Sequence, residues 1–146
     1  MKNLAIVILT AVFFFTGINA NAQESIITKE RLPQKAQKFI SDNYSKSTVD
    51  YVVMDKEFLS VDYKVRFTDG SEIEFNSDGE WVEVDGKKTP ISTGFIAKGI
   101  LSYVKQNFPN AQIIKIEKSR LGKQEVKLSN GMELEFNSKG KFIRFD

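Results

Sequence analysis

The chain has neither cysteine nor histidine. Without cysteine there is no disulfide, no thiolate nucleophile and no N-terminal thiol to carry a lipid anchor. Without histidine, Ser–His and Cys–His catalysis and imidazole metal sites are excluded as well. A surplus of one charge is also missing: 21 Lys and Arg are set against 19 Asp and Glu, a formal net charge of +2. Nucleic-acid binding calls for a basic patch. Here lysines alternate with glutamates instead of clustering, so no nucleic-acid partner is expected. The longest apolar run, Leu4 to Phe15, falls short of the roughly 20 residues that cross a bilayer as a helix.

That run has the context of an export signal. Lys2 precedes it and Ala20-Asn21-Ala22 follows it, which gives a positive start, an apolar middle and a small-x-small site with cleavage between Ala22 and Gln23. Residues 1–22 therefore read as a cleaved signal peptide. The mature chain is expected to be periplasmic or secreted and not membrane-spanning. Removal of Lys2 lowers the formal charge from +2 to +1. The 124 residues that remain bury about two-thirds of their unfolded surface, and with no disulfide the core must supply the stability.

What the chain does have is a repeated phrase. Thr68-Asp69-Gly70-Ser71-Glu72-Ile73-Glu74-Phe75-Asn76-Ser77-Asp78-Gly79-Glu80-Trp81 returns as Ser129-Asn130-Gly131-Met132-Glu133-Leu134-Glu135-Phe136-Asn137-Ser138-Lys139-Gly140-Lys141-Phe142. Glycines, acids and aromatics keep their places at one offset, as expected of a duplicated folding unit. Val61-Asp62-Tyr63-Lys64-Val65-Arg66-Phe67 and Glu72-Ile73-Glu74-Phe75 alternate apolar with charged residues, the pattern of strands with one face on a core. A two-residue turn at Asp69-Gly70 would set Arg66 opposite Ile73. A three-residue loop with Gly70 left-handed sets Val65 opposite Ile73 and Tyr63 opposite Phe75, which keeps the faces consistent. The same turn with Gly131 opposes Val126 to Leu134. At Gly79 and Gly140 it opposes Phe75 to Trp81 and Phe136 to Phe142.

Upstream of each phrase lies an amphipathic helix: Leu32, Ala36, Phe39, Ile40 and Tyr44 in one case, Ile96, Ile100, Tyr103, Val104 and Phe108 in the other. The expected fold is α+β, two tandem repeats, each a helix followed by a four-stranded antiparallel sheet packed on it. The first repeat covers residues 23–88 and the second 89–146, joined by the turn-rich Asp85-Gly86-Lys87-Lys88-Thr89-Pro90. With Trp81 and Phe142 inward, regular alternation sends Val82, Val84, Ile143 and Phe145 to the face otherwise lined by Lys64, Arg66, Glu72 and Glu74. An apolar stripe on a face without a helix is a candidate contact surface, unless the two sheets meet and hide it.

Little in these patterns suggests chemistry. The pairs Glu72/Glu74 and Glu133/Glu135 sit about 7 Å apart on one strand face, within glycosidase range, yet they recur as the solvent side of the same strand. Asn76-x-Asp78-Gly79-Glu80 has a faint look of a calcium loop, but its counterpart carries Lys139 and Lys141, and a hairpin turn accounts for both. No catalytic residue, metal site or cofactor is expected.

The Leu-Pro helix start, the stretch Phe108 to Lys118 and the stretch Glu125 to Lys141 resemble the PepSY-like family, whose fold is compared with that of the beta-lactamase inhibitor protein. The resemblance implies an exported protein whose sheets can form a concave surface for a protein partner; neither beta-lactamase activity nor its inhibition follows from it. It implies an inhibitor-like binding role toward an exported or envelope protein, a peptidase being one class. The strand alternation makes Lys64, Arg66, Glu72, Glu74, Val82, Val84, Ile143 and Phe145 the candidate partner-binding residues. A small-ligand or envelope-polymer site in a cleft between the repeats is the competing expectation, and free sheet edges make a homo-oligomer a further one.

Overall fold

The computed structural model describes residues 23–146; the signal-peptide segment and Ala22 lie outside the described residues. The chain opens with strand β1 (Gln23–Ile27), a 3-10 turn at Lys29–Arg31 and helix α1 (Gln34–Asn43). Strands β2 (Val49–Lys56), β3 (Val61–Phe67), β4 (Glu72–Phe75) and β5 (Trp81–Asp85) follow. Helix α2 (Lys98–Asn107) then leads into β6 (Ile113–Lys118), β7 (Gln124–Leu128), β8 (Glu133–Phe136) and β9 (Phe142–Phe145).

These strands do not form two sheets. They form one nine-stranded antiparallel sheet in the order β1 to β9, which corrects the expectation of two repeats, each with a helix and its own four-stranded sheet. Two features account for the difference. Residues 23–27 do not alternate, three polar residues being followed by Ile26 and Ile27, yet they pair with β2 from Gln23↔Lys56 to Ile27↔Val52. And β5 and β6, on either side of the expected boundary, are hydrogen-bonded neighbours through Glu83↔Glu117, Val84↔Ile116 and Asp85↔Lys115. Alternation within a strand says which face is buried, but not which edges join.

The hairpins follow the turn chemistry. Gly70 and Gly131 have φ of +88°, Gly79 +78° and Gly140 +76°, the left-handed values that a three-residue bulged loop requires. Tyr63 pairs with Phe75, Val65 with Ile73, Val126 with Leu134, Phe75 with Trp81 and Phe136 with Phe142. Asn76 Oδ1 accepts from the N–H groups of Asp78 and Glu80 at 3.1 and 3.0 Å, and Asn137 Oδ1 from those of Lys139 and Lys141 at 3.0 and 2.9 Å. Each Asn side chain thereby ties down its turn.

Both helices cover one face. Ala36 and Ile40 of α1 and Ile100 and Val104 of α2 join a single core with the sheet. Pro33 sits just ahead of α1, where its missing N–H costs nothing. Across the sheet the core contains a row of directly opposed residues: Ile27, Val52, Val65, Ile73, Val84, Ile116, Val126, Leu134 and Phe145. All but the last are buried, whereas Phe145 is 54% exposed.

Val84 in that row is a second correction. Register slips between Glu74 and Phe75, so that Trp81 and the extra residue Val82 together oppose Phe75. The bulge reverses the alternation beyond it. Regular alternation would have sent the Glu83 carboxylate into the core; the bulge turns Glu83 out and Val84 in, to 1% exposure. The same slip lies between Glu135 and Phe136, so Arg144 opposes Glu135 and Phe145 opposes Leu134. The expected stripe of Val82, Val84, Ile143 and Phe145 is thereby divided between the two sides of the sheet.

Two glycine positions separate backbone strain from packing. A Cβ on Gly79 would lie 2.7 Å from Pro33 Cβ and 3.0 Å from Ala36 N, whereas one on Gly131 meets nothing within 4 Å. Gly131→Ala is expected to cost about 1 kcal/mol, the left-handed strain alone. Gly79→Ala is expected to cost about 3 kcal/mol, because it also wedges α1 off the sheet. Urea unfolding of both variants against wild type measures the difference.

Candidate functional site

Among the described residues nothing covers the face away from the helices, and its side chains belong to the residues adjoining the buried row. Reading across the strands, these are Ile26, Val53, Lys64, Glu74, Glu83, Glu117, Glu125, Glu135 and Arg144. Five glutamates stand side by side on β4 to β8, with a cation at each end. Directly opposed residues are about 5 Å apart, and like charges there destabilise a sheet. Lys64 Nζ is 2.7 Å from Glu74, Lys115 Nζ is 3.1 Å from Glu83 and 3.6 Å from Glu117, and Glu135 lies 2.7 Å from Lys123 and 2.6 Å from Arg144. Glu125 has no ion-pair partner among the described residues.

The electrostatics divide the row. Burial, with repulsion from Glu74 and Glu117, holds the Glu83 carboxyl above the usual carboxylate range despite Lys115. Burial raises Glu125 too, helped by Asp146, Glu133 and Glu117. Glu135 is held low by the hydrogen bond from Lys123 and by Arg144. A second row beside it is better matched: Arg66 and Lys87 both reach Glu72, at 2.6 and 2.7 Å, and Lys87 also reaches Asp85 at 2.9 Å. Glu72 is accordingly held low, first by Lys87 and then by Arg66.

Over β1 to β6 this face forms a hollow of about 1070 Å³. Eight carboxylates line it, those of Glu24, Asp55, Asp62, Glu72, Glu74, Glu80, Glu83 and Glu117, against three cations, Lys64, Lys118 and Arg120. Asp55 Oδ1 is buried there without a hydrogen-bond donor. Tyr51, Val53 and Val82 add apolar surface. Trp81 lies at the end of the hollow, its ring packed on Phe95 at 5.0 Å on the helix side and covered by the Lys118 ammonium 3.7 Å from the ring centroid. Burial lowers the Lys118 pKa. Among the described residues no three acids converge to hold a metal ion.

Of the sequence candidates, the structure brings Lys64, Glu72, Glu74 and Val82 together in the hollow, with Arg66 bound to Glu72 at its margin. Val84 is in the core, and Ile143 and Phe145 are at the far edge, 43% and 54% exposed. Sequence reasoning missed Glu83, Glu117, Glu125 and Asp55. The available signal was Glu83 itself, a charge at a position that regular alternation assigns to the core.

Glu83 and Glu72 should show opposite pH behaviour. Glu83 has a raised folded-state pKa, so its contribution is full below the unfolded carboxylate value and is lost as pH rises through the folded one. Glu83→Gln is therefore expected to raise Tm by about 2 °C at pH 8 and by nothing near pH 4. Glu72 has a lowered pKa, so Glu72→Gln should lower Tm at pH 8, the deficit closing as pH falls through the carboxylate range. Thermal melts followed by circular dichroism at both pH values check the signs.

Comparison with known proteins is consistent with this geometry. Residues 61–144 match the family model described as "Putative beta-lactamase-inhibitor-like, PepSY-like". A "putative calcium-regulated periplasmic protein" of Bacteroides thetaiotaomicron superposes with a TM-score of 0.80 at 40% identity, covering 84% of this chain and 96% of its own. A protein of the DUF2874 family from Bacteroides vulgatus, described as a "putative periplasmic protein", gives 0.80 at 34% identity over 85% of this chain and 97% of its own. A second protein from that species, described as a "putative periplasmic protein of unknown function", gives 0.78 at 33% over 85% and 99%. No curated protein matches the chain. Among the described residues no helix is long and apolar enough to cross a membrane. The periplasmic location of the relatives is that of this chain too, and the chain belongs to the PepSY-like family.

Proposed function

We propose that this chain is a non-enzymatic binding protein that presents the uncovered face of its sheet to a protein partner carrying basic side chains. The observation behind this reading is the hollow: of its eight carboxylates Glu72, Glu74, Glu80, Glu83 and Glu117 already have a lysine or arginine partner, whereas Glu24, Asp55 and Asp62 have no ion-pair partner among the described residues, and one Asp55 oxygen is buried without a donor. A rigid sheet holds those groups in place, so a lysine- or arginine-bearing loop would find acceptors already positioned. Tyr51, Val53, Val82 and Trp81 supply the apolar and aromatic contact that gives such an interface its affinity. Lys64, Arg66, Glu72 and Glu74 set its charge pattern. The inhibitor-like family description supports a binding role, and the partner class we propose is an exported or envelope protein, a peptidase among them.

The calcium in the description of the B. thetaiotaomicron relative gives this face a second reading. The five glutamates extend in a line and do not close around a point. Calcium would therefore act on the row as a whole, screening its repulsion and competing with a basic partner.

The test is capture from a periplasmic extract at low salt with wild type and with a Glu74→Lys, Glu117→Lys, Val82→Asp variant. Wild type should retain a basic protein that elutes with salt, and the variant, folded by circular dichroism, should lose it. Equal recovery by both would sink the reading. Adding millimolar calcium chloride should reduce recovery and shift the emission of Trp81; no change in either removes the calcium arm alone.

A further inference from the structure

The row of buried residues that crosses the sheet is closed at one end and open at the other. At β1 its last member, Ile27, is 7% exposed, and Leu32 just beyond is 3% exposed. At β9 its last member, Phe145, is 54% exposed, with Ile143 beside it at 43%. β9 lies against β8 in the register that β5 keeps against β4. Leu134↔Phe145 corresponds to Ile73↔Val84, Glu135↔Arg144 to Glu74↔Glu83, and Phe136↔Phe142 to Phe75↔Trp81, with the bulge in the same place.

The outer edge of β5 shows what such a strand accepts. β6 pairs with it antiparallel, setting Lys115 opposite Asp85, Ile116 opposite Val84 and Glu117 opposite Glu83. Val84 falls to 1% exposure in consequence. The backbone of β9 is poised in the same way. Asp146 N–H donates inward to Glu133 C=O, so strand alternation turns the N–H and C=O of Phe145 outward. In β5 the corresponding groups face β6, whose Ile114 C=O also accepts from Gly86 N–H at 2.8 Å.

We infer that the outer edge of β9, unpaired among the described residues, is a strand-addition site for an extended segment that presents a basic, an apolar and an acidic residue in succession. Running antiparallel, such a segment sets its basic residue opposite Asp146, its apolar residue on Phe145 and its acidic residue opposite Arg144. Main-chain hydrogen bonds would hold it and the alternating side chains would select it. The charge match is better than at β5, where Glu83 and Glu117 face each other. Arg144 is 61% exposed at its side chain, and its partners Glu135 and Asp146 both lie in its own chain, at 2.6 and 3.1 Å. This edge is separate from the hollow, and the inference does not rest on the proposed function.

A synthetic peptide of residues 112–119, which carries Lys115-Ile116-Glu117, is the probe. Titrated into the full chain, it should slow amide exchange at Phe145. A peptide with the Lys and Glu exchanged should bind about tenfold more weakly. Phe145→Pro removes an outward N–H at an edge, where proline is tolerated, and should abolish binding while β8 and β7 keep their protection. The charge-exchanged peptide tests the idea even if that variant unfolds. Absence of binding at millimolar peptide, equal binding of the two peptides, or protection gained at β1 and not at β9 would each overturn the inference.

Discussion

The pairing of β5 with β6 is the interaction on which the rest of the molecule depends. Three residue pairs bring the two halves of the chain into one sheet. Because of them Val84 and Ile116 become the middle of a single apolar row instead of two exposed ends. Directly opposed branched side chains are a main source of sheet stability, and a row continuous across the strands gives both helices one surface to cover. With both helices on that side, the other side is left to solvent. The hollow is thus a consequence of where the core lies.

Uniting the halves has an electrostatic cost. Glu83 and Glu117 meet because Val84 and Ile116 do, one residue away on each strand. Packing on one face determines which charges become neighbours on the other. Lys115, between them on the adjacent row, offsets part of the repulsion, and burial still keeps Glu83 reluctant to ionise. A sheet selected for stability alone would alternate the signs across such a row, as the flanking Arg66, Glu72 and Lys87 cluster does. That contrast is why the unbalanced side of the sheet is read as a binding face.

The local features of this fold were legible in the sequence because they are local. Gly70, Gly79, Gly131 and Gly140 announce their turns, and those turns place Tyr63, Phe75, Trp81, Phe136 and Phe142. The helices follow from the spacing of Ala36 and Ile40, and of Ile100 and Val104. What depends on a displaced residue or a distant edge was not legible. One bulge moved Val84 from a candidate contact to the core, and the edge pairing of β5 turned two sheets into one. The row of glutamates exists only once the register of nine strands is known, since its members stand on five strands between residues 74 and 135. Residues 23–27, whose polar and apolar positions do not alternate, are a strand because β2 offers them an edge.

The strand order has a consequence for how the chain acquires its structure. Every strand pairs with the one before it, with no crossover, and only the segments carrying the two helices interrupt the sequence of hairpins. Sheet proteins with distant pairings fold slowly because long loops must close before any contact compensates for them. Here each new strand needs only its predecessor as a template. The sheet can therefore grow from the N-terminal side toward β9, and the edge that awaits a neighbour advances with it.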